Sequence, residues 1–181
     1  DEKSIAWRTA LRCHEEGARL VLTNAPVALR MGEINKLAET VKAPVIGADV
    51  VNMDDLKNLF EKSMEHFGGK IDFILHSIGM SINVRKGKHY TEMNYEWNAK
   101  TLDISAMSLH RVLRTAWDMD ALNEWGSVVA LTYIAAQRVF PDYNEMADAK
   151  ALLESVTRSF GYHYGVRKKV RVHSISQSPT K

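Results

Sequence analysis

Residues 131–150, LTYIAAQRVFPDYNEMADAK, decide the predicted fold because they join the end of an apolar strand, a loop and a helix. Tyr143 and Lys150 are seven residues apart, about two helical turns, so the pattern predicts that they share one helix face. Tyr133 stands ten residues before Tyr143, at the end of the strand. A phenol beside an ammonium group suits chemistry that builds negative charge on a substrate oxygen. Tyr143 and Lys150 are therefore candidate catalytic residues.

Spacing alone leaves a structural alternative open for these residues. Tyr143 then only begins an amphipathic helix, and the stem of Lys150 lies along apolar surface with its charge in water. Tyr133 then packs as a strand-end aromatic under the loop. The rest of the chain has to decide between the two interpretations.

The composition is that of an ordinary globular domain able to bury a core, with 45% hydrophobic and 25% charged residues in 181. Lys and Arg exceed Asp and Glu by only 24 to 22, which favours neither a nucleic-acid partner nor a membrane surface. Cys13 is the single cysteine, so we expect no internal disulfide, no zinc site and a reducing compartment. The chain shows neither an apolar run of membrane-spanning length nor a signal peptide, and a cytoplasmic protein is expected.

Short apolar strands alternate with longer helical patterns along the whole chain. The predicted strands are residues 18–24, 43–50, 71–79, 126–133 and 170–176, and helices are predicted at 5–16, 27–41, 54–68, 94–118 and from Tyr143 to about Phe160. This alternation predicts an α/β fold, a doubly wound parallel sheet of Rossmann type covered by helices on both faces. Ligands of such sheets bind at the carboxyl ends of the strands.

The two ends of the chain depart from this pattern. Doubly wound domains usually begin with a strand and a glycine-rich turn, yet this chain opens on a helix and contains no GxGxxG. It also ends directly after a strand. Residues 1–181 are therefore expected to form a single partial dinucleotide-binding domain, without the first strand and the C-terminal part.

Several motifs resemble one family, the NADH-dependent enoyl-acyl carrier protein reductases of bacterial fatty-acid synthesis, a divergent branch of the short-chain dehydrogenase/reductases. The motifs are SIAW at 4–7, HSIGMS at 76–81, DIS at 103–105, SQSPT at 176–180 and the set of Tyr133, Tyr143 and Lys150. The stretches 75–88 and 146–165 are most similar to the enzymes of Bacteroidetes. The resemblance runs over nearly the whole chain.

Two positions separate this chain from the ketone-reducing relatives. Those enzymes place lysine four residues after tyrosine and serine thirteen before it, whereas this chain has Ala147 and Ala130 there. Both differences favour an enoyl reductase over a ketone reductase.

The resemblance implies catalytic and substrate-binding roles for several side chains within residues 131–150. NADH, becoming NAD+, gives hydride to the β-carbon of a trans-2-enoyl thioester, and charge collects on the thioester oxygen. Tyr143 donates a hydrogen bond to that oxygen, Lys150 holds the nicotinamide ribose, and Tyr133 flanks the pocket, so these three are the predicted catalytic residues. The predicted substrate-binding residues are Tyr133, Tyr143 and Met146, although core filling is an alternative role for the methionine. The implied partners are an acyl carrier protein-linked substrate and three further copies in a homotetramer.

The resemblance also implies a cofactor groove built from strand ends and one helix start. Its predicted residues are Ser4, Ile5, Asp49, Val50, Ser77, Ile78, Gly79, Lys150, Pro179 and Thr180. Local structure offers alternatives at three of them: Ser4 as a helix cap, Asp49 as a turn former and Gly79 as an ordinary turn glycine. NADH is preferred over NADPH from the resemblance alone, because Asn24, Ala25 and Pro26 carry neither the acidic nor the basic determinant.

Other features keep further alternatives open. His173 stands where the family shows asparagine, and the run from Arg167 to Arg171 could attract an acidic carrier protein or form a solvated turn. The alternative function is a non-catalytic, inactive fragment of a short-chain reductase that acts by assembly with other chains.

Overall fold

The structure is a computed structural model that describes residues 2–30 and 32–177. The chain divides into two compact units, Asp1–Ile71 and Asp72–Lys181. The prediction of one domain over residues 1–181 stays a prediction, and the two units are described one after the other.

The first unit alternates helices with two short strands. Its elements are α1 (Ile5–Glu15), β1 (Leu22–Asn24), α2 (Pro26–Leu29), α3 (Glu33–Thr40), β2 (Val45–Gly47) and α4 (Met53–Phe67). β1 and β2 pair in parallel, with Leu22 opposite Val45. Trp7 of α1 packs with Leu37 and Val41 in a buried cluster, so the apolar side of α1 supplies part of this core.

Side-chain caps explain where these helices begin and end. The Ser4 hydroxyl accepts the Trp7 N–H at 3.1 Å and starts α1. The Asn52 side chain accepts the N–H groups of Asp54 and Asp55, and Gly68 ends α4 in the left-handed region at φ +68°. The predicted helix 27–41 is wrong in one respect: it is two helices, because Gly32 takes φ +74° directly before α3.

The second unit contains a three-stranded sheet in the order β3-β4-β5. Its elements are β3 (Ile71–His76), α5 (Ile82–Arg85), α6 (Tyr95–Leu102), α7 (Ser108–Asp118), β4 (Leu122–Tyr133), α8 (Glu145–Lys168) and β5 (Arg171–Gln177). β4 and β5 are parallel from Ser127 opposite Arg171 to Tyr133 opposite Gln177. The buried side of α8, with Ala149, Leu153 and Val156, forms part of the core of this unit.

The structure corrects two predicted boundaries in this unit. The predicted helix 94–118 is interrupted by one π-helical turn, Asp103–Met107, which widens the helix where Ser105 bonds to Met80. β4 is four residues longer than predicted at its start, and Trp125 within it has φ +64°. The parallel pairing and the flanking helices confirm the predicted α/β class.

Candidate active site

The end of β4 brings two tyrosine rings together. The rings of Tyr133 and Tyr143 lie 4.8 Å apart between centroids at an angle of 46°, and Phe140 lies 5.2 Å from Tyr133. Tyr133 is buried, with 7% of its surface exposed. The contact between the two tyrosine rings therefore holds the loop between β4 and α8 against the end of β4.

Tyr143 is not on α8, and the predicted two-turn spacing on one helix face is wrong. Pro141–Tyr143 form a 3₁₀ turn, and Asn144 then takes φ +43° and ψ −142° before α8 begins at Glu145. A continuous helix cannot include that conformation, which lies outside the right-handed helical region. Tyr143 is placed by the turn and by Tyr133, and only Lys150 by the helix.

The environment of Tyr143 favours the neutral form that a phenol already has at physiological pH. Burial raises the pKa of its hydroxyl above the ordinary 10.0, and the neighbouring Tyr133 raises it further. The phenol is therefore neutral at physiological pH and is available as a hydrogen-bond donor.

Lys150 lies in the second turn of α8 and is buried against β4. Its Nζ donates to the Leu131 carbonyl oxygen at 2.7 Å, two residues before Tyr133. Burial lowers the pKa of the ammonium group from 10.5 to about 8. Lys150 is 7% exposed, so it is not the snorkelling surface lysine of the structural alternative.

His76, at the end of β3, is affected by the positive charge of the same lysine. Its Nε2 lies 2.9 Å from the Ser108 hydroxyl, and burial, followed by the positive charge of Lys150, lowers its pKa from 6.5 to about 4. His76 is therefore a neutral, hydrogen-bonded histidine inside the unit.

A cavity of about 190 Å³ opens beside Tyr143. Its lining residues come from the segment after β3 and from the start of α8: Gly79, Met80, Ser81, Val84, Arg85, Tyr143 and Met146. Met146, a predicted substrate-binding residue, is thus at the cavity. Tyr133 is not a lining residue and borders the cavity only through the Tyr143 ring.

The predicted cofactor residues of the second unit follow β3 directly. Ser77 and Gly79 are exposed, and Ile78 between them is partly buried. A β-carbon at Gly79 would meet only the flexible Cε of Met146, at 3.7 Å, which is ordinary contact. Nothing among the described residues therefore requires glycine at position 79, and its role at the cofactor stays a prediction.

The predicted cofactor residues of the first unit lie at a helix start and after a strand. Ser4 and Ile5 begin α1, and Ser4 serves as its cap. Asp49 follows β2, where its carboxylate accepts the Val51 N–H at 3.1 Å and its own N–H donates to Asp55, so the turn-forming alternative is observed. Val50 lies in the same turn. Pro179 and Thr180 lie outside the described residues.

The comparisons with known proteins agree with this arrangement. The family model of the enoyl-(acyl carrier protein) reductases matches residues 1–181. The chain belongs to that family. An enoyl-[acyl-carrier-protein] reductase [NADH] of Rhizobium meliloti is 35% identical over 182 residues, which cover 100% of this chain and 65% of that enzyme. The chain thus spans about two thirds of the length of such family members.

Two solved structures of family members resemble the chain more closely. FabI from Alistipes finegoldii is 58% identical with a TM-score of 0.98, and covers 100% of this chain and 67% of its own. A FabI-NADH complex from the same organism is 59% identical with a TM-score of 0.96, over 98% of this chain and 63% of its own. This similarity confirms the Rossmann-like class, the family and the predicted likeness to Bacteroidetes proteins.

The sequence interpretation missed a buried carboxyl beside the site. Glu145 is completely buried in the first turn of α8, where its Oε1 accepts from the hydroxyls of Ser81 at 2.7 Å and Thr101 at 2.8 Å. A glutamate in a first turn usually faces solvent and complements the helix dipole. The available signal was its spacing from the buried Ala149 and Leu153, four and eight residues later on the same face.

The basic residues at the end of α8 pair with neighbouring side chains. Arg167 lies over the Trp117 ring at 4.1 Å, Lys168 pairs with Asp120, and Lys169 lies 3.3 Å from Glu124, so this basic run is used in local pairs. His173 is exposed on β5. Within residues 2–30 and 32–177, no cluster of three acidic, histidine or cysteine side chains could hold a metal ion. The same residues include no helix long and apolar enough to cross a bilayer.

Proposed function

We propose that this protein is an enoyl-acyl carrier protein reductase, which reduces the carbon–carbon double bond of trans-2-enoyl thioesters with NADH in fatty-acid elongation. The observation that carries the proposal is the neutral Tyr143 at a largely apolar cavity. Its ring lies 4.8 Å from that of Tyr133 at the end of β4, whose Leu131 carbonyl accepts from the buried Lys150. Membership of the family and the names of its members support the same activity.

Tyr143 is the proposed donor to the developing charge. When bound, NADH supplies the hydride that the β-carbon of the substrate accepts. Negative charge then collects on the thioester oxygen, and the Tyr143 hydroxyl stabilises it by donating a hydrogen bond. One donor of this kind contributes about 2.7–4 kcal/mol to transition-state stabilisation in comparable sites. The raised pKa of Tyr143 keeps the proton on its oxygen until charge develops.

Lys150 is the proposed cation of the site. Its ammonium group has three donors, of which the Leu131 carbonyl oxygen takes one, so two remain to hold the hydroxyls of the nicotinamide ribose. Its positive charge also favours the developing negative charge of the substrate, and burial strengthens that effect. These two functions require the protonated form of Lys150.

For each unit, taken by itself, we propose a set of cofactor contacts. In the second unit, the exposed backbone at Ser77 and Gly79 and the partly buried Ile78 would contact the ribose and nicotinamide. In the first unit, the N-terminus of α1 at Ser4 and Ile5 would face the pyrophosphate, while Asp49 and Val50 would contact the adenine. We assign Pro179 and Thr180 to the carboxamide from the family motif.

The enoyl chain would occupy the cavity beside Tyr143. Met146 and Met80 offer polarisable, flexible side chains to an acyl chain of variable length, whereas Met107 is not a lining residue. We propose Tyr133, Tyr143 and Met146 as the substrate-binding residues, with Tyr133 acting by fixing the Tyr143 ring.

We further propose that the protein acts in the cytoplasm as a homotetramer on substrates carried by acyl carrier protein. Large apolar side chains on the surface of α8 support assembly: Tyr162 is 69% exposed and Val166 is 74% exposed. Light scattering should give the mass of four chains, and a monomeric mass at micromolar concentration would refute the tetramer.

A substrate comparison tests the proposed activity. The protein, with any flanking sequence it naturally carries, is mixed with NADH and either a trans-2-enoyl or a 3-oxoacyl thioester, and NADH absorbance is followed. We expect oxidation of NADH with the enoyl substrate alone. Turnover of the 3-oxoacyl substrate alone would indicate a ketone reductase, and neither turnover nor NADH binding would indicate a non-catalytic protein.

A further inference from the structure

Glu145 joins the two sides of the acyl cavity. It stands between Asn144 and Met146, so its backbone belongs to the side formed by α8. Its Oε1 accepts the Ser81 hydroxyl at 2.7 Å, and Ser81 belongs to the opposite side, residues 79–85. The carboxyl group is completely buried. One side chain behind the lining therefore links the two sides of the cavity.

Ser81 connects the Glu145 carboxyl to the cavity wall, which is formed by residues 79–85. While its hydroxyl donates to Glu145, its Oγ accepts the Val84 N–H at 3.0 Å and caps α5. Ser81 and Val84 both line the cavity. The Glu145 carboxyl therefore fixes the hydroxyl that orders the wall formed by residues 79–85.

Burial of a carboxyl group is unfavourable in free energy unless hydrogen bonds compensate for the lost hydration. Oε2 of Glu145 is buried without a hydrogen-bond partner among the described residues, so the environment does not fully satisfy the carboxyl group. Thr101 has a second acceptor, the Trp97 carbonyl oxygen at 2.9 Å, and does not depend on Glu145. An apolar side chain would fill the position without this unsatisfied oxygen.

We propose that Glu145 is a positioning residue that sets the shape of the acyl cavity through Ser81 and thereby determines affinity for the enoyl substrate. This inference rests on the proposed function. It concerns substrate binding, because the described hydrogen bonds of the Glu145 carboxyl go to Ser81 and Thr101 and not to Tyr143 or Lys150.

Three variants separate positioning from general stability. Glu145→Val removes the acceptor, and we expect the KM for the enoyl thioester to rise about tenfold while kcat changes less than about twofold. Glu145→Gln keeps a carbonyl oxygen that accepts from the Ser81 hydroxyl, so its KM should be close to that of the wild type. The matched control is Asp148→Asn, one turn later, whose carboxylate bonds the exposed Tyr90 hydroxyl and should leave both constants unchanged.

A double-mutant cycle and hydrogen exchange give independent readouts. If Glu145 acts through Ser81, Ser81→Ala should raise KM similarly, and Ser81→Ala with Glu145→Val should be no worse than the larger single effect. Amide exchange of residues 79–86 should accelerate at least about tenfold in Glu145→Val and not in Glu145→Gln. This exchange is measured without substrate, so it does not depend on the assay.

The outcomes distinguish this inference from the proposed function. An inactive wild-type protein would refute the proposed function. The exchange pattern would still show whether the contact between Glu145 and Ser81 orders residues 79–86. An active wild type with an unchanged KM in Glu145→Val, additive effects in the cycle, or a Glu145→Gln protein as impaired as Glu145→Val would overturn the positioning role. If Glu145→Val fails to fold, Ser81→Ala and Glu145→Gln decide the question.

Discussion

Tyr143 combines the properties expected of a hydrogen-bond donor to an oxyanion. Its ring is fixed by Tyr133 at 4.8 Å, and burial keeps its hydroxyl neutral by raising the pKa. Tyr143 lines the cavity in which we propose that the enoyl thioester binds. A fixed donor in such a place needs little reorganisation when charge develops.

Removal of the Tyr143 hydroxyl tests that role. Tyr143→Phe keeps the ring contact with Tyr133 and removes the donor, so kcat should fall about 10²- to 10³-fold while the thermal midpoint changes little. Tyr90→Phe is the matched control, because its half-exposed hydroxyl bonds Asp148 outside the cavity. Steady-state kinetics of the two variants decide the matter, and equal kcat values would remove Tyr143 from the mechanism.

The lowered pKa of Lys150 predicts how cofactor affinity depends on pH. Burial brings the pKa to about 8, so the ammonium form is lost as the pH rises through that value. NADH should therefore bind less tightly above about pH 8, and Lys150→Met should bind weakly with no such step. Fluorescence titration from pH 6 to about pH 10 measures this, with the exposed Lys62→Met as control. A flat profile in the wild type would contradict the role.

Lys150 also makes the free energy of unfolding depend on pH, and its lowered pKa gives the direction of that dependence. The folded pKa of about 8 lies below the unfolded value of 10.5, so the unfolded chain binds more protons between them. The free energy of unfolding therefore gains a contribution from Lys150 as the pH rises through this window.

His76 predicts a loss of stability in acid. Burial lowers its pKa from 6.5 to about 4, so the unfolded chain takes up the proton first as the pH falls through that window. The contribution of His76 to the free energy of unfolding should decrease by on the order of 2 kcal/mol between pH 7 and about 4.5. Urea denaturation of His76→Gln should show a shallower decrease, whereas the exposed His163→Gln should follow the wild type. A decrease as steep in His76→Gln would refute the assignment.

At the scale of elements, the junction between the 3₁₀ turn and α8 places the two reactive side chains. Asn144 makes this junction possible: its Oδ1 accepts the Glu145 N–H, and its Nδ2 donates to the Lys88 carbonyl oxygen, both at 2.7 Å. Its φ of +43° with ψ −142° lies outside the left-handed helical region that asparagine tolerates, so these two hydrogen bonds hold a strained backbone. Tyr143 and Lys150 therefore depend on a residue that takes no part in the chemistry.

Substitution of Asn144 tests this junction. Asn144→Ala loses both side-chain bonds and keeps the unfavourable φ, so we expect a loss of about 2–3 kcal/mol in the free energy of unfolding. Asn144→Asp keeps the cap and loses only the donor to Lys88, so it should lose less. Chemical denaturation ranks the variants, and equal stability of wild type and Asn144→Ala would show that the junction is held by other contacts.

Helix boundaries were predictable where a capping residue stands at the end of the helix. Ser4 at the start of α1 and Gly68 at the end of α4 act as their residue types predict. The start of α8 was not predictable in this way, because Asn144 looks like part of a helical run and its conformation depends on the distant Lys88 carbonyl. The strand lengths likewise depend on pairing partners rather than on local preference.

At the scale of the whole molecule, the alternation of strands and helices was sufficient to predict the α/β class. The residues near the cavity were predictable in part, since the strand ends pointed to Gly79, while the predicted helix face shared by Tyr143 and Lys150 was wrong. Glu145 was not identified, because a buried carboxyl depends on hydroxyls supplied 64 and 44 residues earlier in the chain. Such long-range partners leave only a weak periodic signal in the sequence.

The most direct test of the central claim is the fate of a labelled hydride. The protein is incubated with a trans-2-enoyl thioester and NADH that carries deuterium at the transferable position, and the product is examined by NMR and mass spectrometry. The proposed function predicts one deuterium at the β-carbon of a saturated thioester, with the α-proton taken from solvent. A product labelled at a carbinol carbon, or an unlabelled and unreduced substrate, would contradict it.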